Sequence, residues 1–302
     1  MIRFAVLAAA MGVALNVDAA PGSPVLENLV QTQRIRLGFR DSSIPFSYVG
    51  TQGEPLGFSV DLCKRVVDAL AQDLKLKQAT IDWVPITSAT RISAIKTGRI
   101  DMECGSTTNT VDRRKDVAFT VPHYVAGVRI LSRADAPLST PMELEGKTVS
   151  TNKGSTAADM LAAFNGQLRQ PIKLLLFATS AESFGAVRDG RADAWLHDDI
   201  QLVGQRALAS NPAQYVVSSA HLSVEPLAVM LPRGDAELKA AVDRHVRSLM
   251  RSGEIHKLYA KWFEQPIAPT GVILRLPMNF LTRDIYRNPS DYVPDLRVLR
   301  LQ

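Results

Sequence analysis

Two cysteines stand in 302 residues, and the 18 glycines and 17 prolines are spread without period, which excludes a disulfide-rich miniprotein and a collagen-like chain. Aromatic residues are scarce, at 6%, and do not interleave with Lys and Arg, so a nucleic-acid groove is not expected. Past Ala20 no apolar run approaches the length of a membrane span. The five histidines (His123, His197, His221, His245 and His256) have no metal-ligand spacing, and neither cysteine has a close ligand partner. No Gly-x-Ser-x-Gly elbow, phosphate loop or dinucleotide fingerprint occurs. These absences argue against a resident metal or cofactor and lower the expectation of an enzyme.

What is present begins with an export signal. Arg3 supplies a positive start, residues 4–15 are nearly all apolar but too short to span a bilayer, and Val17-Asp18-Ala19 places small residues before a cut. Cleavage is expected after Ala19, delivering a soluble protein to the periplasm. The cut removes one charge of each sign, Arg3 and Asp18, so the net charge of +5 is unchanged. Spread diffusely, that charge favours small anions over a nucleic-acid backbone. An exported chain can join Cys63 to Cys104, but spacing alone leaves a bond and two buried thiols equally open.

Short apolar strands then alternate with amphipathic helices. Strands are expected over 34–39, 80–84, 100–104, 147–150 and 172–177. Phe58, Leu62, Val66, Val67 and Leu70 recur at helical spacing, and further helices are expected over 90–97 and 155–164. Such alternation predicts an α/β protein with mainly parallel sheets. The pattern also repeats. Thr87-Ser88-Ala89, Gly98 and Asp101 reappear 92 positions later as Thr179-Ser180-Ala181, Gly190 and Asp193. The register holds across helix, turn and strand together, which points to two related lobes.

Ligands of open parallel sheets lie beyond the carboxyl ends of the strands, where helix N-termini also point. On the first lobe this edge carries Arg40, Ser88, Arg91, Ser106 and Thr108; on the second it carries Ser155, Thr156, Ser180 and Asp198. Two such edges face to face make a cleft suited to a small zwitterion. Arg91 can grip a carboxylate bidentately, and Asp198 can accept from an ammonium group. Backbone N–H groups of Ser106-Thr107-Thr108 and Gly154-Ser155-Thr156 can complete the shell. Arg40, with Arg113 beside it, is then left for a second carboxylate. Each residue also has a plainer role: Ser88 and Ser155 as helix N-caps, Asp198 or Asp199 as the cap of a helix over 200–207, the arginines as surface salt-bridge partners.

The segments Gly38-Phe-Arg-Asp-Ser-Ser-Ile-Pro-Phe-Ser-Tyr48, Ile86-Thr-Ser-Ala-Thr-Arg-Ile92, Glu103-Cys-Gly-Ser-Thr-Thr-Asn109, Asp198-Asp199 and Lys261-Trp262-Phe263 carry a resemblance over residues 31–292. The chain resembles the periplasmic solute-binding proteins of polar amino-acid ABC importers (family 3), in particular the glutamate/aspartate-binding branch. The resemblance implies a two-lobed periplasmic binding protein fold, with residues 20–128 and 228–302 in lobe 1, residues 129–227 in lobe 2, and crossings near 128–131 and 227–231. It implies that Arg91 holds the α-carboxylate with Thr108 and Thr156, that Ser106 and Asp198 hold the α-ammonium, and that Arg40 and Ser88 address a side-chain carboxylate. Where that branch has a histidine this chain has Ser180, which widens the choice to glutamine, asparagine or a longer dicarboxylate, while Arg40 and Arg113 keep glutamate and aspartate the expected ligands. A monomer that delivers its ligand to an inner-membrane permease is implied as well. An exported enzyme resembling cyclohexadienyl dehydratases and a periplasmic sensor module are the alternatives; Glu103 and Asp198 are the nearest acid/base candidates.

Overall fold

The structure, a computed structural model, describes residues 22–292. The expected cut after Ala19 lies outside the described residues. Two five-stranded sheets dominate. The first runs Thr80–Pro85, Arg34–Phe39, Met102–Glu103, Met230–Pro232, Val117–Phe119, and the second Lys173–Phe177, Thr148–Asn152, Ala194–Asp198, Val128–Arg133, Tyr215–Val217. In each, the first three strands are parallel and the fourth runs antiparallel to the third. The helices are α1 (Pro24–Thr32), α2 (Phe58–Asp73), α3 (Arg91–Lys96), α4 (Thr156–Asn165), α5 (Ser180–Arg188), α6 (Asp199–Ala207), α7 (Ala236–Arg251), α8 (Glu254–Tyr259) and α9 (Phe280–Arg287).

The internal repeat has a physical basis. Gly98 and Gly190 take left-handed φ of 67° and 71° just past α3 and α5, a conformation open to glycine at no steric cost. Asp101 then donates its N–H to the Arg36 carbonyl and accepts the Arg36 N–H on its carboxylate, both at 2.8 Å. Asp193 makes the same two bonds to Thr148, again at 2.8 Å. The repeated aspartate therefore tethers the start of the neighbouring strand. Expected elements shift only at their ends. The strand expected over 100–104 is confined to Met102–Glu103 because the Ile100 N–H turns back to the Ala94 carbonyl.

Each sheet is covered on both faces by its own apolar clusters. Leu37, Val66, Leu70 and Val242 pack on one side of the first sheet, and Ile86, Ile100 and Met230 on the other. Val149, Leu161 and Leu196 cover one face of the second, and Phe184, Val187 and Trp195 the other. Burying each such side chain contributes about 1.5–3 kcal/mol. The chain passes between the lobes as an antiparallel ribbon, Tyr124–Ala126 against Glu225–Leu227. The crossings expected at 128–131 and 227–231 begin where this ribbon ends: Val128 already pairs with Asp198, and Met230 with Phe119.

Cys63 and Cys104 are disulfide-bonded, which settles the pairing left open by spacing. The bond closes a loop of sequence separation 41, for which chain entropy gives about 4 kcal/mol. It ties α2 to the strand end that leads into Ser106.

Two histidines are enclosed. His123 lies among Phe46 and Phe58, His197 beside Trp195, and burial pushes both imidazoles down to about 3. An unfolded histidine titrates near 6.5, so between that pH and about 3 the unfolded chain binds the additional protons. Stability should thus hold above about pH 6.5 and fall below it, at up to about 2.7 kcal/mol per pH unit for the pair. Denaturant midpoints across this range, with imidazole NMR shifts of both residues still neutral at about pH 5, check this; imidazolium shifts there would contradict it.

Candidate functional site

Side chains beyond the strand ends of the first sheet meet the second lobe, and the contacts of Arg91, Arg113 and Ser106 mark the seam between them. Arg40 follows the Arg34–Phe39 strand, its N–H bonded to Ser47 Oγ at 2.8 Å, and its Nη2 donates to Ser88 Oγ. Arg91 opens α3, where its N–H returns to the Thr87 carbonyl and Thr90 takes the cap position. Its Nη2 reaches across the seam to the Gly154 carbonyl at 3.1 Å. Arg113 joins it there, with Nη2 3.2 Å from the same carbonyl and Nη1 2.9 Å from the Thr108 carbonyl. Two arginines of the first lobe thus converge on one backbone group of the second. Gly154 permits the approach: a Cβ there would lie 2.9 Å from the Ser88 carbonyl oxygen, and its φ is 78°.

The loop after Cys104 is tied to the crossing ribbon. Asn109 N–H donates to the Pro226 carbonyl and Ala228 N–H to the Thr107 carbonyl, so Ser106 and Thr108 move with the strand that returns from the second lobe. Ser106 Oγ accepts a bond from Gln201 Nε2 at 2.7 Å.

On the second lobe the outcomes differ. Ser155 is the N-cap of α4, its Oγ accepting from the Ala158 N–H at 3.1 Å, and Thr156 follows as the first residue of that helix. Ser155 therefore fills the cap role expected for it. Ser180 is not a cap; Thr179 and Glu182 form the capping box of α5. The Ser180 hydroxyl donates to Gln201 Oε1 at 2.7 Å and accepts from Asn152 Nδ2 at 3.2 Å. Asp198 stands at the cap position of α6 without a side-chain capping bond, while Asp199 Oδ1 accepts its own helix's Ile200 N–H at 2.7 Å. The Asp198 carboxylate accepts no hydrogen bond among the described residues, and is 3.9 Å from His197 Nδ1. Since His197 is neutral, that contact is not an ion pair.

Charge is concentrated and dry. Arg40, Arg91 and Arg113 are only 3%, 3% and 9% exposed, and Glu103 and Asp198 are buried with them. Burial lowers all three guanidinium values; for Arg91 the neighbouring charges of Arg113 and Arg40 add to it. Burial, together with the Glu225 and Asp199 carboxylates, pushes Asp198 well above the usual carboxylate range. Arg40 Nη1, Arg91 Nε, His197 Nε2 and both Glu103 oxygens are buried without a hydrogen-bond partner among the described residues. Buried charged donors left unpaired are costly, and an anion placed among them would relieve that cost.

Sequence reasoning missed Gln201, His197 and Asn152, and gave Glu103 only an acid/base role. Gln201 sits three residues into α6, on its buried face, and nothing in its spacing distinguishes it from a core-facing polar residue. Among the described residues, no group of three or more His, Cys, Asp or Glu is placed to hold a metal ion, and no helix is long and apolar enough to cross a membrane.

Residues 35–265 match the family described as bacterial extracellular solute-binding proteins, family 3. The chain is 37% identical over 292 residues to the L-glutamate/L-aspartate-binding protein of Pseudomonas aeruginosa, covering 96% of each. It is 31% identical over 286 residues to the glutamate/aspartate import solute-binding protein of Escherichia coli K12, covering 94% and 95%. Among solved structures it is similar to holo ArgBP from T. maritima (27% identity, TM-score 0.66, covering 77% of this chain and 99% of that one). It is also similar to an ancestral amino acid-binding protein described as a precursor of cyclohexadienyl dehydratase (28% identity, TM-score 0.68, covering 79% and 99%).

Proposed function

The chain belongs to the bacterial extracellular solute-binding proteins, family 3, and from that premise we propose that it captures glutamate or aspartate between its two lobes and hands it to an inner-membrane permease. Family membership carries a binding role and not catalysis. The observation that carries the ligand assignment is the set of three buried arginines, Arg40, Arg91 and Arg113, with unpaired N–H groups on Arg40 and Arg91. A single carboxylate leaves one end of that set unserved; an amino acid with two serves both.

In this reading Arg91 holds the α-carboxylate with Thr108 and the α4 N-terminus at Thr156, supported by Arg113. Asp198 and Ser106 hold the α-ammonium. A cation placed beside Asp198 opposes the burial that raises it, so binding favours the ionised carboxylate there. Arg40 with Ser88 receives the side-chain carboxylate. Ser180, already committed to Gln201 and Asn152, shapes the pocket without offering a full donor, so the preference for an acid over its amide falls to Arg40.

In this proposal the described parts of residues 20–128 and 228–302 form lobe 1 and residues 129–227 lobe 2, hinged at the 124–126/225–227 ribbon. Closure removes ligand and arginines from water together, where each charged bond is stronger, and the ligand shifts an open–closed equilibrium by its greater affinity for the closed form. The names of the relatives support an acidic amino acid as cargo, and the charged N-terminal start with its short apolar run supports export to the periplasm with cleavage near Ala19.

Calorimetric titration of refolded, ligand-stripped protein with a panel of amino acids tests the reading. Binding of glutamate or aspartate at least about a hundredfold tighter than glutamine or asparagine is expected, from the loss of a charge-assisted bidentate pair. Equal affinity for acid and amide would overturn it.

A further inference from the structure

The seam holds a second set of contacts that meet the candidate ligand residues only at Ser106 and Ser180. Gln201, Gly204 and Gln205 lie at i, i+3 and i+4 on one face of α6, and that face meets the other lobe. Gln201 Nε2 donates to Ser106 Oγ at 2.7 Å, and Gln205 Nε2 donates to the Ser42 carbonyl at 3.0 Å. Gly204 between them lets the helix lie against the first lobe: a Cβ there would come within 2.8 Å of the Ile44 carbonyl oxygen and 3.1 Å of its Cγ2. Ile200, at the start of the same helix, packs into the first-lobe core although its chain neighbours belong to the second.

Ser42 is the counterpart on the first lobe. Its Oγ accepts the N–H of Ser180 at 3.1 Å and that of Ala181 at 3.4 Å. These are the first two N–H groups of α5, which have no acceptor within their own helix. Thr179 satisfies only the next one, on Glu182. The cap of α5 is therefore completed from across the cleft.

We propose that Ser42, Gly204 and Gln205 form a latch that sets how long the closed complex lasts, distinct from the groups that recognise the ligand. This rests on the binding reading above. The latch is made in the closed form and broken on opening, so its loss should act on release and leave capture unchanged. Gly204→Ala separates this role from a structural one, because alanine is the better helix former and the added methyl obstructs only the docked state.

The experiment uses the full mature chain carrying Ser42→Ala, Ser42→Thr or Gly204→Ala, with stopped-flow kinetics of glutamate and amide exchange at Ser180 and Ala181 by NMR. In the liganded unaltered protein both amides should be protected, and Ser42→Ala should speed their exchange by about tenfold. Ser42→Ala and Gly204→Ala should each raise the glutamate off-rate roughly tenfold with the on-rate within a factor of about two. Thermal stability of Gly204→Ala should be equal to or above that of the unaltered chain, and Ser42→Thr, which keeps the hydroxyl, should restore protection and slow release. Unprotected amides in the liganded protein, or unaltered off-rates in both variants, would overturn the latch. Protection lost in Ser42→Ala in a protein that binds no acidic amino acid would uphold the latch and overturn the ligand reading instead.

Discussion

Arg91→Ala is expected to abolish binding of every amino acid, whatever its side chain. Arg91 stands at the first turn of α3 and, with Arg113, reaches the second lobe at Gly154, which is where the proposal places the invariant part of the ligand. Its Nε is buried and unpaired. Removing it strips the α-carboxylate of its counter-charge inside a dry site, which typically costs about 2–5 kcal/mol, or roughly thirty- to several-thousandfold in affinity. It also breaks a bond between the lobes, adding to the loss. Calorimetry against glutamate, with a thermal melt to show that the variant folds, checks this. Affinity within about threefold of the unaltered chain would remove Arg91 from the site.

Arg40→Ala should act differently. Among the described residues Arg40 hydrogen-bonds within its own lobe, to Ser47 and Ser88, and its Nη1 has no partner. With the α-carboxylate still held by Arg91, the variant should keep measurable affinity for small neutral amino acids while glutamate and aspartate fall by about a hundredfold or more. The preference of acid over amide should vanish. A variant that loses all ligands equally would make Arg40 a general binding or structural residue, and one that keeps its acid preference would move the side-chain carboxylate elsewhere, to Arg113.

Which of these residues could be read from the chain depends on the range of the interaction that fixes them. The two-lobed α/β plan was visible because it is written locally and twice: a helix, a glycine that ends it, and an aspartate that ties the next strand, at Gly98/Asp101 and again at Gly190/Asp193. That Arg40, Ser88 and Arg91 stand at strand ends or helix starts of the first sheet, and Asp198 at a strand end of the second, could be read because these are local features. Ser155 shows the limit of that argument, since the same position serves as an ordinary N-cap. The pairing of 124–126 with 225–227 was not readable because it joins segments about a hundred positions apart in the chain, where no local signal marks the register. Gln201, Gln205 and Ser42 were invisible for a related reason. Their partners lie across the cleft, so their roles exist only once the two lobes are set against each other. Glu103 was noted for its acidity, but that it is wholly buried beside Arg40 follows from packing around Gly105, where a Cβ would lie 2.2 Å from its Oε1.

The central claim is that a free dicarboxylic amino acid lies between the lobes, held at both ends by buried arginines and left chemically unchanged. A crystal structure of the protein grown with glutamate tests it most directly. The account predicts intact glutamate in the seam, its α-carboxylate on Arg91, its ammonium on Asp198 and its side-chain carboxylate on Arg40. Density for the ligand outside that seam, or for a converted product within it, would contradict the account.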